Sequence, residues 1–329
     1  MIVVMDMLNI SKIFIIVFLM LVFVSNAQNA SNVYDITQSF ENDTVVKLAL
    51  GYILSCQNDD GGFGSEPEAM SDIKSTAIAV IALASLGEDP GKHVRGNHSP
   101  VSYLIENQEA INNMTSVEAQ YGRYVVALVS AGLNPYDVNG SNYVELLRGY
   151  CDPSGEIGKR NYIWDDCWVM LGLISSGDLS GMDTSINHLK SLQTSSGGWA
   201  WNGGSDMADV DTTAIVLCTL LAGGVDRNST AVQNGLQYLR SEQNRDGGFS
   251  LLGSNAASDG WAIMALNAAG ENPRKWCTGS SNPIDHLKSL QKDDGSIWWK
   301  EDVKGMSFEW TANAIIALTG GSMPPVIYK

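Results

Sequence analysis

Four acidic residues stand at matching places along this chain. Asp211, Asp259 and Glu309 each lie two residues before a Thr-Ala or Trp-Ala pair, and Asp166 joins them if Trp168 is matched to Thr213. Lys74 holds the same place nearer the start. Each precedes an Ala-rich apolar stretch. A carboxyl there has two uses. It caps the free N–H groups of a helix's first turn, or it gathers with others at one end of a bundle and handles protons. Donating a proton requires the neutral acid. An Asp near its reference pKa of ~3.9 is almost wholly ionised at neutral pH, so burial or a like-charged neighbour must raise it. Asp209 is that neighbour for Asp211 only if the two side chains converge, and residues two apart on a regular helix do not face each other.

Aromatic residues cluster around the same places: Tyr121, Tyr124, Trp164, Trp168, Trp261, Phe308 and Trp310. Aromatic faces stabilise a cation through their quadrupole, stack on a sugar, or fill a core. A calcium ion held by Asp206, Asp209 and Asp211 is another use of the acids, although their spacing matches no known loop. No Gly-x-Ser-x-Gly elbow and no Gly-rich phosphate loop with Lys occurs.

A repeat must position these residues. The motif Gln-x-x-x-Gly reads QNDDGGF from Gln57, QTSSGGW from Gln193, QNRDGGF from Gln243 and QKDDGSI from Gln291. Degenerate copies at Gln108 and Cys151 fill the gap, giving spacings of 51, 43, 42, 50 and 48 residues. A period near 50 is the mark of a repeat architecture. Before each Gln lies an amphipathic helix, as in INHLKSLQ (Ile186–Gln193), with apolar residues at helical spacing. The Gly pair ends it. After the turn comes an Ala-rich helix, apolar nearly all round, such as TTAIVLCTLLAGG (Thr212–Gly224). A helix of that kind is buried. Six such hairpins predict an all-α (α/α)6 toroid over residues 28–329, with repeats at 44–90, 99–135, 141–178, 184–226, 231–273 and 283–321. Closure is favoured because the last inner helix is as apolar as the middle ones, whereas an open solenoid needs polar caps.

Lys12 precedes a 12-residue apolar run, Ile13–Val24, and Ser25-Asn26-Ala27 fits a small-residue cleavage site. Residues 1–27 therefore read as a signal peptide, the run being shorter than the ~20 residues of a membrane span. An uncleaved anchor reaching back to Met7 is the alternative. Sequons at Asn29, Asn42, Asn97, Asn113, Asn139 and Asn228 suit a secreted, glycosylated chain. The net charge of −16 argues against nucleic acid and anionic membrane surfaces. Of five Cys, Cys218 reads as a core residue, while Cys151 with Cys167, or Cys56 with Cys277, are possible pairs.

The repeat resembles that of the terpene cyclase and protein prenyltransferase superfamily. INHLKSLQTSSGGW is similar to the QW repeat of squalene and hopene cyclases, and Ser55–Leu83 is similar to a repeat of protein prenyltransferase β subunits. Asp209-Val210-Asp211-Thr212-Thr213-Ala214 resembles the Asp-x-Asp-Asp-Thr-Ala motif of cyclases that protonate an alkene. That likeness implies Asp211 as the acid, with Thr212 replacing the family's next Asp. Asp165 and Cys167 resemble the Asp-x-Cys zinc pair of the β subunits, but none of His93, His98, His188 and His286 suits the third ligand. The motifs are specific for fold and weak for activity.

The expectation is a toroid that binds an apolar or isoprenoid-like small molecule, or an extracellular partner, in its central cavity without a complete catalytic motif. Trp164, Trp168, Trp261, Trp310, Phe308 and Tyr124 are the expected ligand contacts, and no cofactor is expected. The alternative is a terpene cyclase-like enzyme with Asp211 as general acid, supported by Asp209, Asp259, Glu309 and Asp166. A cobalamin-carrier-like domain and a glycan-active toroid are further readings. An enzyme requires Asp211 in a closed apolar cavity beside Trp261 or Trp310, with a neighbour to raise its pKa. A binder requires an open, shallow mouth.

Overall fold

Each Gln turn stops one helix, and a side-chain cap starts the next. Asp72, Asp209 and Asn255 accept N–H bonds from Ser75, Thr212 and Ser258 at 2.8–3.0 Å, satisfying first-turn amides that have no partner within the helix. The computed structural model describes residues 43–158, 161–250 and 252–328. The expected signal peptide and the sequons at Asn29 and Asn42 lie outside them.

From Thr44 the described chain forms six hairpins. They are α1 (Thr44–Ser55) with α2 (Ile73–Ser85), α3 (Pro100–Glu106) with α4 (Val117–Ser130), α5 (Tyr143–Arg148) with α6 (Ile163–Ser175), α7 (Met182–Ser191) with α8 (Val210–Ala222), α9 (Thr230–Ser241) with α10 (Ala256–Ala268), and α11 (Pro283–Ser289) with α12 (Ser307–Leu318). The first member of each pair is the outer helix. In α9 only Val232, Gly235, Leu236, Tyr238 and Leu239 are buried, one face of a helix. The inner helices are buried nearly all round: in α8 every residue from Thr212 to Leu220 is covered. Their Ala and Gly content lets them close up. At Gly122 of α4 a Cβ would run into the Trp168 backbone of α6, so these helices meet backbone to backbone.

The inner helices pack in sequence from α2 through α12, and α12 packs in turn on α2 and α1. The ring is closed, and the fold is the (α/α)6 toroid. Glutamine amides join its units. Gln57 Nε2 donates to Gly61 O and His93 O, Gln193 to Gly197 O and Ala231 O, and Gln243 to Gly247 O and Trp276 O. Each side chain thus ties its own turn to the entry of the next outer helix. Gln291 repeats this across the seam, donating to Gly295 O at 3.1 Å and to Val45 O at 2.8 Å. Gly295 has φ +87°, and a Cβ there would strike the Leu48 carbonyl of α1. Cys151 takes the Gln place in the third unit, bridged to Ile157 as Gln57 is to Phe63.

All five cysteines are free thiols, so neither expected pair is formed. Cys56, Cys167 and Cys218 are buried, where they pack as small apolar groups. Among the described residues no helix is long and apolar enough to cross a membrane.

Gln291→Ala and Gln243→Ala each remove two hydrogen bonds to backbone carbonyls, a loss of roughly 1 kcal/mol net per bond. Amide hydrogen exchange separates them. Gln291→Ala is expected to speed exchange in the first turns of α1, and Gln243→Ala around Trp276. Equal, uniform acceleration in both would show that the amides do not latch neighbouring units.

Candidate functional site

The inner helices all begin at one end of the ring, and there they line a cavity of about 650 Å³ with an open mouth, not the closed one that an enzyme was expected to need. Unit four contributes Asp209, Asp211 and Thr212; units five and six contribute Trp261, Glu309 and Trp310. Trp164 and Asp165 come from α6, Lys74 from α2, and Gln120 and Arg123 from α4. A second cleft of about 440 Å³ adjoins it and shares Lys74, Met306 and Glu309.

Asp211 sits one residue into α8, so the capping role falls to Asp209 and leaves Asp211 to the cavity. It is half-buried, and what it exposes faces the cavity. Its Oδ1 has no hydrogen-bond partner. Burial raises its pKa to about 6, helped by the charges of Asp209 and Asp259 and opposed by a hydrogen bond with Ser258. Asp209 does act on Asp211, because it stands in extended backbone at the cap and escapes the helical spacing rule. Its own pKa is raised by burial, against the Thr212 amide that bonds it.

Glu309 also lines the cavity, but as a carboxylate. Burial pushes its pKa up, and Arg123 and Lys74 more than offset this, holding it below the usual range. Lys74 Nζ lies 2.7 Å from Oε2, and Arg123 Nη2 lies 3.6 Å from Oε1.

Asp259 and Asp166 require a correction: neither lines the cavity. The large apolar residue after each of these turns donates its backbone N–H to one acceptor on the inner helix: Phe63 to Thr76, Trp199 to Thr213 and Ile297 to Thr311. Phe249 N donates to Asp259 Oδ1 at 2.7 Å. Asp259 is therefore the equivalent of Thr213, not of Asp211, whose counterparts are Lys74, Ala257 and Glu309. Matching Trp261-Ala262 to Thr213-Ala214 shifted the alignment by two residues. Asp259 is fully buried, with His286 Nδ1 at 2.5 Å, and burial brings its pKa to about 6 against the pull of His286. Asp166, four residues after the Tyr162 cap, holds the same place in unit three. Burial and then Asp165, Glu156 and Glu118 raise it to about 8, and it is 1% exposed. Its carboxyl is buried inside the wall.

The aromatics divide likewise. Trp164, Trp261 and Trp310 line the cavity. Trp164 meets Trp261 edge-on at 5.0 Å, and Trp168 meets Trp261 edge-on at 6.0 Å from behind. Trp168 carries Arg123 over its ring at 4.7 Å. Phe308 lines the neighbouring cleft and packs on Phe63. Tyr124 is core, its hydroxyl donating to Leu104 O, and Tyr121 bonds Asn112.

Among the described residues no three His, Cys, Asp or Glu side chains converge on a metal-sized site. Asp206 is exposed, and Asp209 is engaged as a cap, so the calcium trio does not assemble. Cys167 is fully buried, and desolvation lifts its thiol well above the ordinary value, which makes it a poor zinc ligand. Arg123 and Gln120 were not foreseen. A lone Arg in the buried inner helix VEAQYGRYVVALVS (Val117–Ser130) was the available signal.

Comparison with known proteins agrees with this fold. Residues 16–169 match the prenyltransferase alpha-alpha toroid domain, and residues 166–312 match the squalene-hopene cyclase C-terminal domain. The first match begins within the apolar run read as a leader. A probable squalene–hopene cyclase of Sinorhizobium fredii is 23% identical over 245 residues, which cover 69% of this chain and 34% of the relative. The chain thus spans about a third of the length of the curated relatives it matches. A type II terpene cyclase from Scytonema is similar in fold, with TM-score 0.59 and 16% identity over 87% of this chain and 98% of that one. A variant of it has been solved with its substrate, geranylgeranyl dihydroxybenzoate. A glycosidase in complex with glucose is similar at TM-score 0.58 and 10% identity, covering 88% and 97%. Two adjoining domain matches, the glutamine-latched repeats and the closed ring lead to one conclusion: the chain belongs to the terpene cyclase and prenyltransferase superfamily of α–α toroids.

Proposed function

We propose that the cavity binds an isoprenoid polyene and that Asp211 starts its cyclisation by protonating a terminal alkene. The observation that carries this reading is Asp211 itself: an unpartnered carboxyl oxygen, a pKa of about 6, and Trp164, Trp261 and Trp310 lining the same open-mouthed cavity. With that pKa about one Asp211 in ten is neutral at pH 7, against about one in a thousand for an ordinary Asp. In the step, the alkene π pair takes the Asp211 proton and forms a C–H bond. The more substituted carbon becomes a cation. The next alkene attacks it and closes a ring, and the final cation loses a proton to end the sequence. The indole faces stabilise the travelling charge. The product is an isomer of the substrate, and the Asp211 carboxylate regains its proton from water.

Binding without turnover is the second reading. Thr212 stands where the resembled motif has a further Asp, so the acid lacks one expected neighbour. Asp209 and Asp259 supply the like charge instead, which favours the enzyme. Export is also part of the proposal. It is supported by the leader-like residues 1–27 and by the exposure of Asn97, Asn113, Asn139 and Asn228.

Incubating the protein in D₂O with squalene, geranylgeraniol and geranylgeranyl diphosphate tests the chemistry by mass spectrometry. A cyclic isomer carrying one new C–D bond is expected, and Asp211→Asn is expected to slow its formation at least about a hundredfold. Unchanged turnover in Asp211→Asn would remove Asp211 from the mechanism. The rate should fall about tenfold per pH unit above the Asp211 pKa of about 6, because the active form is the protonated one.

Stability carries the same signature. The folded pKa of Asp211, about 6, lies above the unfolded value, so ionisation favours the unfolded chain. Its stabilising effect is complete below about pH 4 and lost as pH rises through about 6. Asp211→Asn should therefore have the higher Tm at about pH 8, the difference shrinking toward about pH 4. A pH-independent difference would mean that the carboxyl is not desolvated.

A further inference from the structure

The ring packed on each Gly turn is not the same in every unit. In the turn after α1, a Cβ on Gly62 would lie 2.7 Å from the Tyr103 ring of α3. In the turn after α7, Gly198 meets Tyr238 of α9 in the same way. In the turn after α9, Gly248 meets the imidazole of His286 on α11, at 2.6 Å. Each ring stands five residues before the landmark Gln of its own unit, Gln108, Gln243 or Gln291. The acceptor of the turn amide changes with it. Where the ring is Tyr the acceptor is Thr76 or Thr213, and where it is His the acceptor is Asp259. Chemistry couples the two. A Thr hydroxyl that accepts the amide donates its own proton to a nearby carbonyl, as Thr76 does to Asp72 O at 2.7 Å. A carboxyl has a second oxygen, which needs a donor once buried. Asp259 Oδ1 takes the Phe249 amide, and Oδ2 lies 2.5 Å from His286 Nδ1. On the other side, His286 Nε2 lies 3.7 Å from Asp246 Oδ2. Asp246 is held in the turn by the Gly248 N–H and the Ser254 hydroxyl. An imidazole between two carboxylates is satisfied on both edges only as the imidazolium, since the neutral ring has one N–H and one lone pair. Burial pulls the His286 pKa down, and Asp259 and Asp246 outweigh it and raise it. Arg245 of the turn, and Arg274 and Lys275 of the turn Pro273–Lys275 packed on α11, are exposed to solvent, and Asp285 bonds back to Asn282. Letters alone do not build this arrangement. Unit three has Asp166, and His188 stands five residues before Gln193, but Glu156 replaces the glycine. There neither Asp166 oxygen has a hydrogen-bond partner, and nor has His188 Nε2.

We propose that His286 is a proton-operated latch between units five and six: while charged it joins α11 to α10 and to the turn of unit five, and it loosens on losing its proton. The latch is independent of what the cavity binds or turns over. A raised pKa means that the folded chain holds the proton more tightly than the unfolded one. The contribution of His286 is therefore complete below its unfolded value of about 6.5 and is lost as pH rises through the higher folded value. Asp259, whose pKa is also raised, acts in the same direction at lower pH. The pair Tyr238 and Thr213 has no group that titrates in that range, which confines the loosening to the seam of units five and six.

Amide hydrogen exchange of the full chain at about pH 5.5 and about pH 8.5, expressed as protection factors, tests it. Protection across Gln243–Phe249 and α11 is expected to fall about tenfold or more at the higher pH, because one pKa unit of linkage is tenfold in an equilibrium constant. Protection across Gln193–Trp199 and α9 should fall by no more than about twofold. In the double variant Asp259→Thr with His286→Tyr, which gives unit five the pair of unit four, both turns should respond alike. Asp259→Asn with His286→Gln, a neutral pair of similar size, makes the same comparison if the first double variant does not fold. Nitrogen-15 NMR of labelled histidine adds a reading of the proton itself, the double variant assigning the resonance. Both ring nitrogens of His286 should be mainly protonated at about pH 6.5. An equal pH response of the two turns in the wild type would overturn the latch. So would a response of unit five that survives the double variants, or a neutral His286 ring at about pH 6.5.

Discussion

One carboxamide nitrogen, donating two hydrogen bonds, recurs at every well-formed turn of this molecule. One bond closes the turn, and the other reaches the next unit, at its outer helix or the segment leading into it. Neither contact is strong alone, since an intramolecular hydrogen bond contributes roughly 1 kcal/mol net. Their effect lies in repetition and in topology. At the seam Gln291 reaches Val45 across 246 residues, joined there by Tyr52 with Ser307 and by Lys74 with Glu309. Closure covers every inner helix with two inner neighbours and a shell of outer ones. It also sets all six inner N-termini around a single space. The site exists because the ring closes.

That arrangement sets up an electrostatic contest. Six helix N-termini favour negative charge and act to lower the pKa of any acid among them. Glu309 follows that pull, with Lys74 and Arg123 beside it, and is ionised. Asp211 goes the other way, because burial outweighs the opposing contacts and Asp209 adds like charge. Two carboxyls on the same rim therefore shift in opposite directions. Environment assigns their roles, as in other sites where paired acids divide the work.

The repeat was legible in the sequence because its requirements are local. A Gln, a turn Gly and a large apolar residue serve the same bonds in four of the six units, so they recur as letters. The six-hairpin ring and the place of Asp211 followed from them. The register of the other acids did not, for a physical reason. The position that accepts the turn amide needs an acceptor, and Thr213, Thr311 and Asp259 all qualify. Letters therefore aligned Asp259 with Asp211, whereas hydrogen bonds align it with Thr213. Arg123 was missed because its unit has lost the Gln-turn pattern that marks the others. Its partners, Glu309 and Trp168, are brought to it by closure and by the close packing at Gly122.

The account turns on the protonation of one side chain. Carbon-13 NMR of carboxyl-labelled aspartate, with Asp211→Asn to assign the resonance, would follow it directly through a pH titration. A midpoint near the pKa of about 6 derived from the burial of Asp211 is the predicted result. A midpoint near the ordinary ~4 would mean that water reaches the carboxyl freely, and the acid at the centre of this account would be only a solvated carboxylate at the mouth of a ring.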